Sequence, residues 1–302
     1  MVVEAGARVH FHANSGLIVA DDASLEVNGG ESTTELLENE VVFEGDRLEP
    51  NYSDVPGQWG TVWFLPGSNG NNLKNLTIKN ATVGMLVTKN DGTPTPTIDM
   101  MNVQIYNCAN VGILARTGNM VGRNVVINNC GQASLACTEG GSYDFTHCTF
   151  ANYWSSPNQT CLVLNDYYET STSIVAVNLT KANFRNCIFY GSSNISIDLE
   201  KKGATFEYQF NNCLIKFVDF NNQFINGELY SFSSNPNYTN CFIASTSLIN
   251  KPDFIDEDKN ILKIGENSIA RNNANLTFST FADILGNSRA TFSDIGAYEY
   301  LP

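Results

Sequence analysis

Short stretches of alternating apolar and polar residues recur along this chain, and most end on an Asn followed by a small residue. Leu76-Thr77-Ile78-Lys79-Asn80-Ala81, Val103-Gln104-Ile105-Tyr106-Asn107-Cys108 and Val125-Val126-Ile127-Asn128-Asn129-Cys130 are three such units. The series continues through Tyr143-Asp144-Phe145-Thr146-His147-Cys148, Ala182-Asn183-Phe184-Arg185-Asn186-Cys187, Tyr208-Gln209-Phe210-Asn211-Asn212-Cys213 and the weaker Pro236-Asn237-Tyr238-Thr239-Asn240-Cys241. A period of two predicts strands with one buried face. Successive last positions stand 27, 22, 18, 39, 26 and 28 residues apart, and the 39-residue gap reads as a unit carrying an insertion. The Asn shares the parity of the buried positions, so its side chain is expected to point inward. The residue after it breaks the alternation, which requires a bend. Asn tolerates the left-handed conformation of such a bend. An amide repeated in every coil can bond the amides above and below, sparing each the roughly 1–3 kcal/mol of an unpaired buried polar group.

A second strand follows each bend: Val83-Gly84-Met85-Leu86-Val87 matches Val111-Gly112-Ile113-Leu114-Ala115. Leu135-Ala136-Cys137, Cys161-Leu162-Val163-Leu164 and Ile195-Ser196-Ile197 continue the series. Units of this length, with no helical segment and with Gly, Asn and Asp as punctuation, predict stacked β coils. The expected fold is all-β, a single-stranded right-handed parallel β-helix (a pectate-lyase-like solenoid). Residues 7–12, 17–19, 24–27 and 40–44 supply the strands of less regular N-terminal coils. Residues 1–250 are read as coils and 251–302 as an irregular C-terminal cap of the same domain, because an open β-helix end is an unpaired edge that needs covering.

Composition narrows what such a rod can do. The chain has 302 residues, 42% apolar and 16% charged, with 17 Lys+Arg against 31 Asp+Glu and a net charge of −14. Nucleic acid is excluded as a partner, since neutralising phosphates takes clustered cations. The same charge argues against a polyanionic polysaccharide unless a cation bridges. No apolar run reaches the 18 residues of a spanning helix. The 39 asparagines argue against a helical protein, because the short amide competes for backbone hydrogen bonds. The first residues read straight into a strand without a secretory signal.

Several segments resemble a known family. Glu4-Ala5-Gly6 with Val9-His10-Phe11-His12 and Leu17-Ile18-Val19 is similar to the opening coils of parallel β-helix repeat proteins from Bacteroidetes. So are Phe43-Glu44-Gly45-Asp46-Arg47-Leu48 and Asp54-Val55-Pro56-Gly57-Gln58-Trp59-Gly60 with Phe64-Leu65-Pro66-Gly67-Ser68. Asp283-Ile284-Leu285-Gly286-Asn287-Ser288-Arg289 and Asp294-Ile295-Gly296-Ala297-Tyr298-Glu299-Tyr300 resemble the terminal signature of the "choice-of-anchor Q" members. Asn267-Ser268-Ile269-Ala270-Arg271-Asn272 resembles their Ser-Pro-Ala-Ile-Asp stretch without its Pro. The resemblance implies an exported protein at the outer surface or outside the cell, often lipid-anchored, with this chain beginning inside a longer one. It implies no particular activity.

Candidate chemistry is sparse. The eight cysteines suggest disulfides in an exported protein, yet six occupy the post-bend position that Ala81 also fills, so they are read as small buried hydrophobes. His147 stands at a ladder position. His10 and His12 share one strand face, which suits a metal, but nothing nearby supplies further ligands, and no metal or cofactor is expected. The Asn-Thr-Asp, Asp-Asp and Gly-His-Gly set of β-helix glycosidases is missing apart from Asp21-Asp22 in a turn. Lys201-Lys202 beside Asp198 and Glu200 is the nearest approach to a lyase site. Trp59 and Trp63 are read as structural. The insertion after Cys148 is the strongest ligand candidate, because Tyr153, Trp154, Tyr167 and Tyr168 offer sugar-stacking rings while Asp166 and Glu169 accept hydroxyl hydrogen bonds. The expected function is a non-catalytic scaffold, adhesin-like or glycan-binding module. The alternative is a polysaccharide lyase or glycoside hydrolase using acids on a lateral face.

Overall fold

The computed structural model describes every residue except Glu35, Asp91, Pro157, Ala204, Ile225, Asn226, Ser247 and Ala290. The chain is a parallel β-helix with three sheets along its length. Val2–Glu4, Glu26–Asn28, Asn119–Arg123, Gly141–Thr146, Leu179–Arg185, Gln209–Asn211 and Tyr238–Thr239 belong to the first sheet. The second holds Arg8–Phe11, Val41–Gly45, Val126–Cys130, Thr149–Asn152, Ile188–Gly191, Leu214–Lys216 and Phe242–Ala244. Asn71–Lys79 and Ile98–Cys108 run through the intervening corner and pair in both. The third sheet stacks Leu17–Val19, Val62–Phe64, Val83–Thr88, Val111–Arg116, Ala133–Thr138, Thr160–Asn165 and Ile197–Glu200. No helix among the described residues is long and apolar enough to cross a membrane.

Corner geometry explains the asparagines. Between the first and second sheets Asn75, Asn102, Asn124, His147, Asn186, Asn212 and Asn240 all take left-handed backbone, with φ between 46° and 57°. Asn80, Asn107 and Asn129 do the same at the far end of the second sheet, at 54° to 63°. Side chains link neighbouring coils: Asn102 Nδ2 donates to Asn75 Oδ1 and Asn124 Nδ2 to Asn102 Oδ1, both at 2.9 Å. Asn129 Nδ2 reaches Asn107 Oδ1 at 2.7 Å at the other corner. His147 takes an Asn place by accepting from Asn186 Nδ2 through Nε2 at 3.0 Å, which puts its proton on Nδ1, 3.3 Å from the Gly296 carbonyl. Burial holds this imidazole neutral, its pKa well below the usual value.

These two corners correct the repeat as the sequence presents it. The units ending at Ala81, Cys108 and Cys130 are second-sheet strands, whereas those ending at Cys148, Cys187, Cys213 and Cys241 are first-sheet strands. The 18-residue spacing is a step from one corner to the other, and the whole coil from Asn124 to His147 is 23 residues. Six of the cysteines form two columns after the corners, while Cys137 and Cys161 lie on third-sheet strands. All eight are free, and seven are buried. Thiols in the longer column donate to bend carbonyls, as Cys187 Sγ does to Arg185 at 3.2 Å and Cys213 Sγ to Phe184 at 3.3 Å. Burial pushes the Cys161 thiol up to about 12.

The core changes character along the rod. Leu73 and Met100 pack in the earlier coils, and Phe145, Phe184, Phe210 and Tyr238 continue the column as a stack with centroids 5.1–5.8 Å apart. Gly122 lies between the two regimes, because a Cβ there would stand 2.5 Å from the Phe145 ring. The far end is stoppered by Phe217, Phe224, Tyr230 and Phe232, in mutual ring contact at 4.8–6.5 Å.

The irregular segment from residue 251 therefore has other work, and it lies along a flank rather than over the end. Its backbone caps the Asn ladder: Ala282 O accepts from Asn124 Nδ2 at 3.0 Å, Asn275 O from Asn186 Nδ2 at 3.0 Å and Asn273 O from Asn212 Nδ2 at 3.2 Å. Asn75, Asn102, Asn124, His147 and Asn186 are buried as expected, Asn212 is half-buried and Asn240 exposed, and from Asn124 to Asn212 the cover is this strap. Leu262, Ile284, Ala297 and Tyr298 close a small second core over Val126 and Ala151 on the outside of the second sheet. The strap is locked internally by the signature-like residues. Arg289, with a fully buried side chain, pairs with Glu299 and donates to Gly296 O at 2.9 Å and Asp294 O at 3.0 Å. Asp283 accepts backbone N–H groups from Leu285, Asn287 and Glu299 at 2.8–2.9 Å.

Asn102→Ala strands the Asn75 acceptor and the Asn124 donor and forces Ala into left-handed backbone, so chemical denaturation is expected to show a loss of about 2–4 kcal/mol, against less for Asn102→Gly. Equal losses for the two variants would refute the backbone part of this account. Burial lifts the Glu299 carboxyl from 4.5 to about 7. Between those values the folded chain holds a proton that the unfolded chain releases, so this group makes stability fall as pH rises through the window. The melting temperature of Glu299→Gln is expected to vary less between pH 5 and 8 than that of the parent, and parallel curves would contradict the assignment.

Candidate functional site

The outside of the third sheet carries a broad hollow. Parallel register places Ile18, Trp63, Leu86, Leu114, Ala136, Val163 and Asp198 in one outward column. The inward residues Ile113, Leu135 and Leu162 are fully buried, so these strands are apolar on both faces. Strands of that kind ordinarily have a covering layer, whereas here a groove of about 760 Å³ lies over Val111, Leu114, Ala133, Ala136 and Val163. Gln132, Asn158, Gln159 and Thr160 form its polar wall, Phe224 closes one end, and Asp198 is the one ionisable side chain of its lining. A second hollow bordered by Trp154, Ser155, Ser156 and Ser192 shares Ser193 and Ile195 with it.

Gln159 gives this wall chemical direction. It is only 3% exposed. Its amide nitrogen is fixed by Trp154 O and Ser192 Oγ, while its Oε1 is buried without a hydrogen-bond partner. Such an acceptor costs free energy until a donor reaches it. An apolar floor beside amides and one unused acceptor suits a ligand with an apolar face and hydroxyl donors.

The six candidates from the insertion separate into different places. Tyr153 turns to the strap side, its ring edge-on to Phe254 at 6.3 Å and its hydroxyl pKa raised by burial. Trp154 borders the second hollow, which adjoins the groove. Asp166 is fully buried and accepts from Lys202 N at 2.7 Å and Gly203 N at 2.8 Å, so it fixes a turn rather than offering itself to a ligand. Tyr167, Tyr168 and Glu169 lie in a hairpin, Tyr167–Glu169 against Ile174–Ala176, where Tyr168 and Glu169 are exposed. Tyr167 donates to the Glu200 carboxylate, which pushes its own hydroxyl up to about 12, and Lys202 Nζ lies 5.6 Å from its ring centroid. Of the lyase-like cluster, Glu200 and Lys202 are thus engaged by Tyr167, while Asp198 lines the groove. The strand Thr160–Asn165 separates Trp154 from the hairpin.

Acids meet cations on the uncovered part of the second sheet. A hollow of about 420 Å³ is lined there by Arg8, Glu44, Asp54, Lys79, Tyr106 and Lys259 among others. Glu44 bonds Lys79 Nζ at 2.8 Å, and Asp54 accepts from Asn107 at 3.3 Å. Beside them Glu40 accepts from Thr77 at 2.9 Å and Gln104 at 3.3 Å, and burial raises its carboxyl pKa. Glu40 and Glu44 have Cα atoms about 13 Å apart on extended backbone, and each carboxylate is held by its own partners. Burial raises the Tyr106 hydroxyl well above its usual value, which unsuits it to act as a base.

Compared with models of known families and with curated proteins, the chain matches none. The sequence did carry a signal for the groove, since the second strands are near-continuous apolar runs rather than alternating ones. Gln159 had none, because its significance lies in an unmet hydrogen bond.

Proposed function

We propose that this chain is a non-catalytic, exported β-helix module that holds an uncharged glycan in the groove over its third sheet. The groove carries the reading: the apolar face of a sugar ring covers Leu114, Ala136 and Val163 while its hydroxyls meet Gln132, Asn158 and Thr160, and the unpartnered Oε1 of Gln159, which has almost no accessible surface, gains a donor when the wall opens to a hydroxyl. Trp154 in the adjoining hollow offers a second surface for stacking. The near absence of ionisable side chains in the lining favours neutral saccharides. Export, a surface location and a lipid anchor outside the chain belong to the same proposal and rest on the resemblance of the N-terminal and C-terminal segments. The catalytic alternative has less support, because the carboxylates of the second-sheet hollow are each engaged by a partner.

A glycan array probed with the full chain is expected to give neutral oligosaccharide binding. Gln159→Leu and Trp154→Ala are each expected to weaken it about tenfold, equivalent to about 1.4 kcal/mol, with an unchanged circular dichroism spectrum. Binding that survives Gln159→Leu unaltered, or no binding to any glycan, refutes the groove. Release of reducing ends or unsaturated sugars from a bound glycan refutes the non-catalytic reading.

A further inference from the structure

His10 and His12 look isolated in sequence, but the helix brings each a carboxylate from the next coil. Arg8–Phe11 pairs in parallel with Val41–Gly45, with His10 opposite Glu44. The pairing continues one step, since Asp46 N donates to Phe11 O at 2.9 Å. His10 Nδ1 faces Glu44 Oε1 at 3.7 Å, and His12 Nδ1 bonds Asp46 Oδ2 at 2.7 Å. Both carboxylates therefore address the same ring nitrogen. Each Nε2 is left without a hydrogen bond among the described residues, and the two side chains are 35% and 82% exposed. His12 is thus held through Nδ1 by a carboxylate, the arrangement that orients an imidazole toward a metal, while His10 has its carboxylate nearby but beyond hydrogen-bond distance.

Spacing and surroundings agree with that use. Residues i and i+2 of a strand lie on one face about 7 Å apart, a separation that two imidazoles span when their Nε2 atoms each approach an ion to about 2.0–2.1 Å. The backbone at His12 is fixed, because its carbonyl accepts from Ser15 N at 3.0 Å and Ser15 Oγ at 2.7 Å. Two cations lie on this face, and each is engaged by another partner. Lys79 is engaged with the second oxygen of Glu44 at 2.8 Å, and Arg8 turns its guanidinium to the carbonyls of Leu36, Leu37 and Glu40 at 2.7–3.0 Å.

We propose that His10 and His12 form a two-imidazole site for a divalent transition-metal ion of the Zn²⁺, Ni²⁺ or Cu²⁺ type, oriented by Glu44 and Asp46. Imidazole nitrogen suits these ions. Among the described residues no group of three or more candidate ligands is assembled, so the protein supplies two nitrogens and the remaining positions are open to water or to an outside ligand. The site adjoins the second-sheet hollow through Glu44 and is separate from the third-sheet groove.

Titration calorimetry of the untagged full chain with ZnCl₂ is expected to give one saturable site. His10→Ala and His12→Ala should each weaken it at least tenfold, and the double variant should abolish it with the melting temperature unchanged. Glu44→Gln and Asp46→Asn should weaken binding by about 10–100-fold, as loss of an orienting carboxylate does. With Cu²⁺, electron paramagnetic resonance is expected to show coupling to two imidazole nitrogens that both single variants reduce. Undiminished Zn²⁺ binding by the double variant, or no saturable binding by the parent chain, overturns the assignment.

Discussion

Every coil of this helix has to turn a corner on a left-handed residue, and the rest of the structure follows from how that corner is held. A side-chain-bearing L-residue pays roughly 1–2 kcal/mol to sit there. Asn lowers this cost because its amide bonds locally and, once coils stack, bonds the same amide one coil away, as Asn124, Asn102 and Asn75 do in sequence. Those bonds form only when successive corners are in register. In register, the residue after each corner falls into one column, which is why thiols lie above thiols and phenyl rings above phenyl rings. The corner determines the columns, and the columns determine the core.

The same register governs the outer surface, where the sheets diverge. Outward positions of the second sheet are mostly polar in the early coils and mostly apolar from Val126 onward, and the apolar part is where the C-terminal strap lies down. Outward positions of the third sheet are apolar over most of its length, yet no strap crosses them. One flank has been closed by the chain itself and the other left open. An apolar floor that the fold does not cover, walled by an amide with a spare acceptor, belongs to recognition more than to stability.

The coils were legible because a repeated contact leaves a repeated letter. The strand grammar and the insertion between Cys148 and Cys187 could both be read that way, while the phase could not: two corners both written Asn-Cys look like one. The strap was illegible for a different reason. Its partners lie far back in the chain, as with Asn124 and Ala282, 158 residues apart, and none of those contacts recurs. The insertion misled through proximity. Tyr153 and Tyr167 are close in sequence, but a crossing strand of six residues carries the chain about 20 Å between them, from the strap side to a hairpin on the other flank. In a solenoid, nearness in space is a matter of coil register, so His10 is closer to Glu44 than sequence distance suggests.

Register also says which departures from the pattern carry information about function. The signature-like residues near the C-terminus, Asp283, Arg289, Asp294 and Glu299, are consumed by one another and by strap backbone. Those residues therefore lock a strap over an Asn ladder and are not free for a ligand. The groove wall at Gln159 and the paired histidines at the first coil repeat nowhere else along the rod. A residue that recurs in every coil is explained by the coil. One that occurs once, with a hydrogen-bonding atom left unused, has no such explanation, and Gln159 Oε1 and the two Nε2 atoms are of that kind.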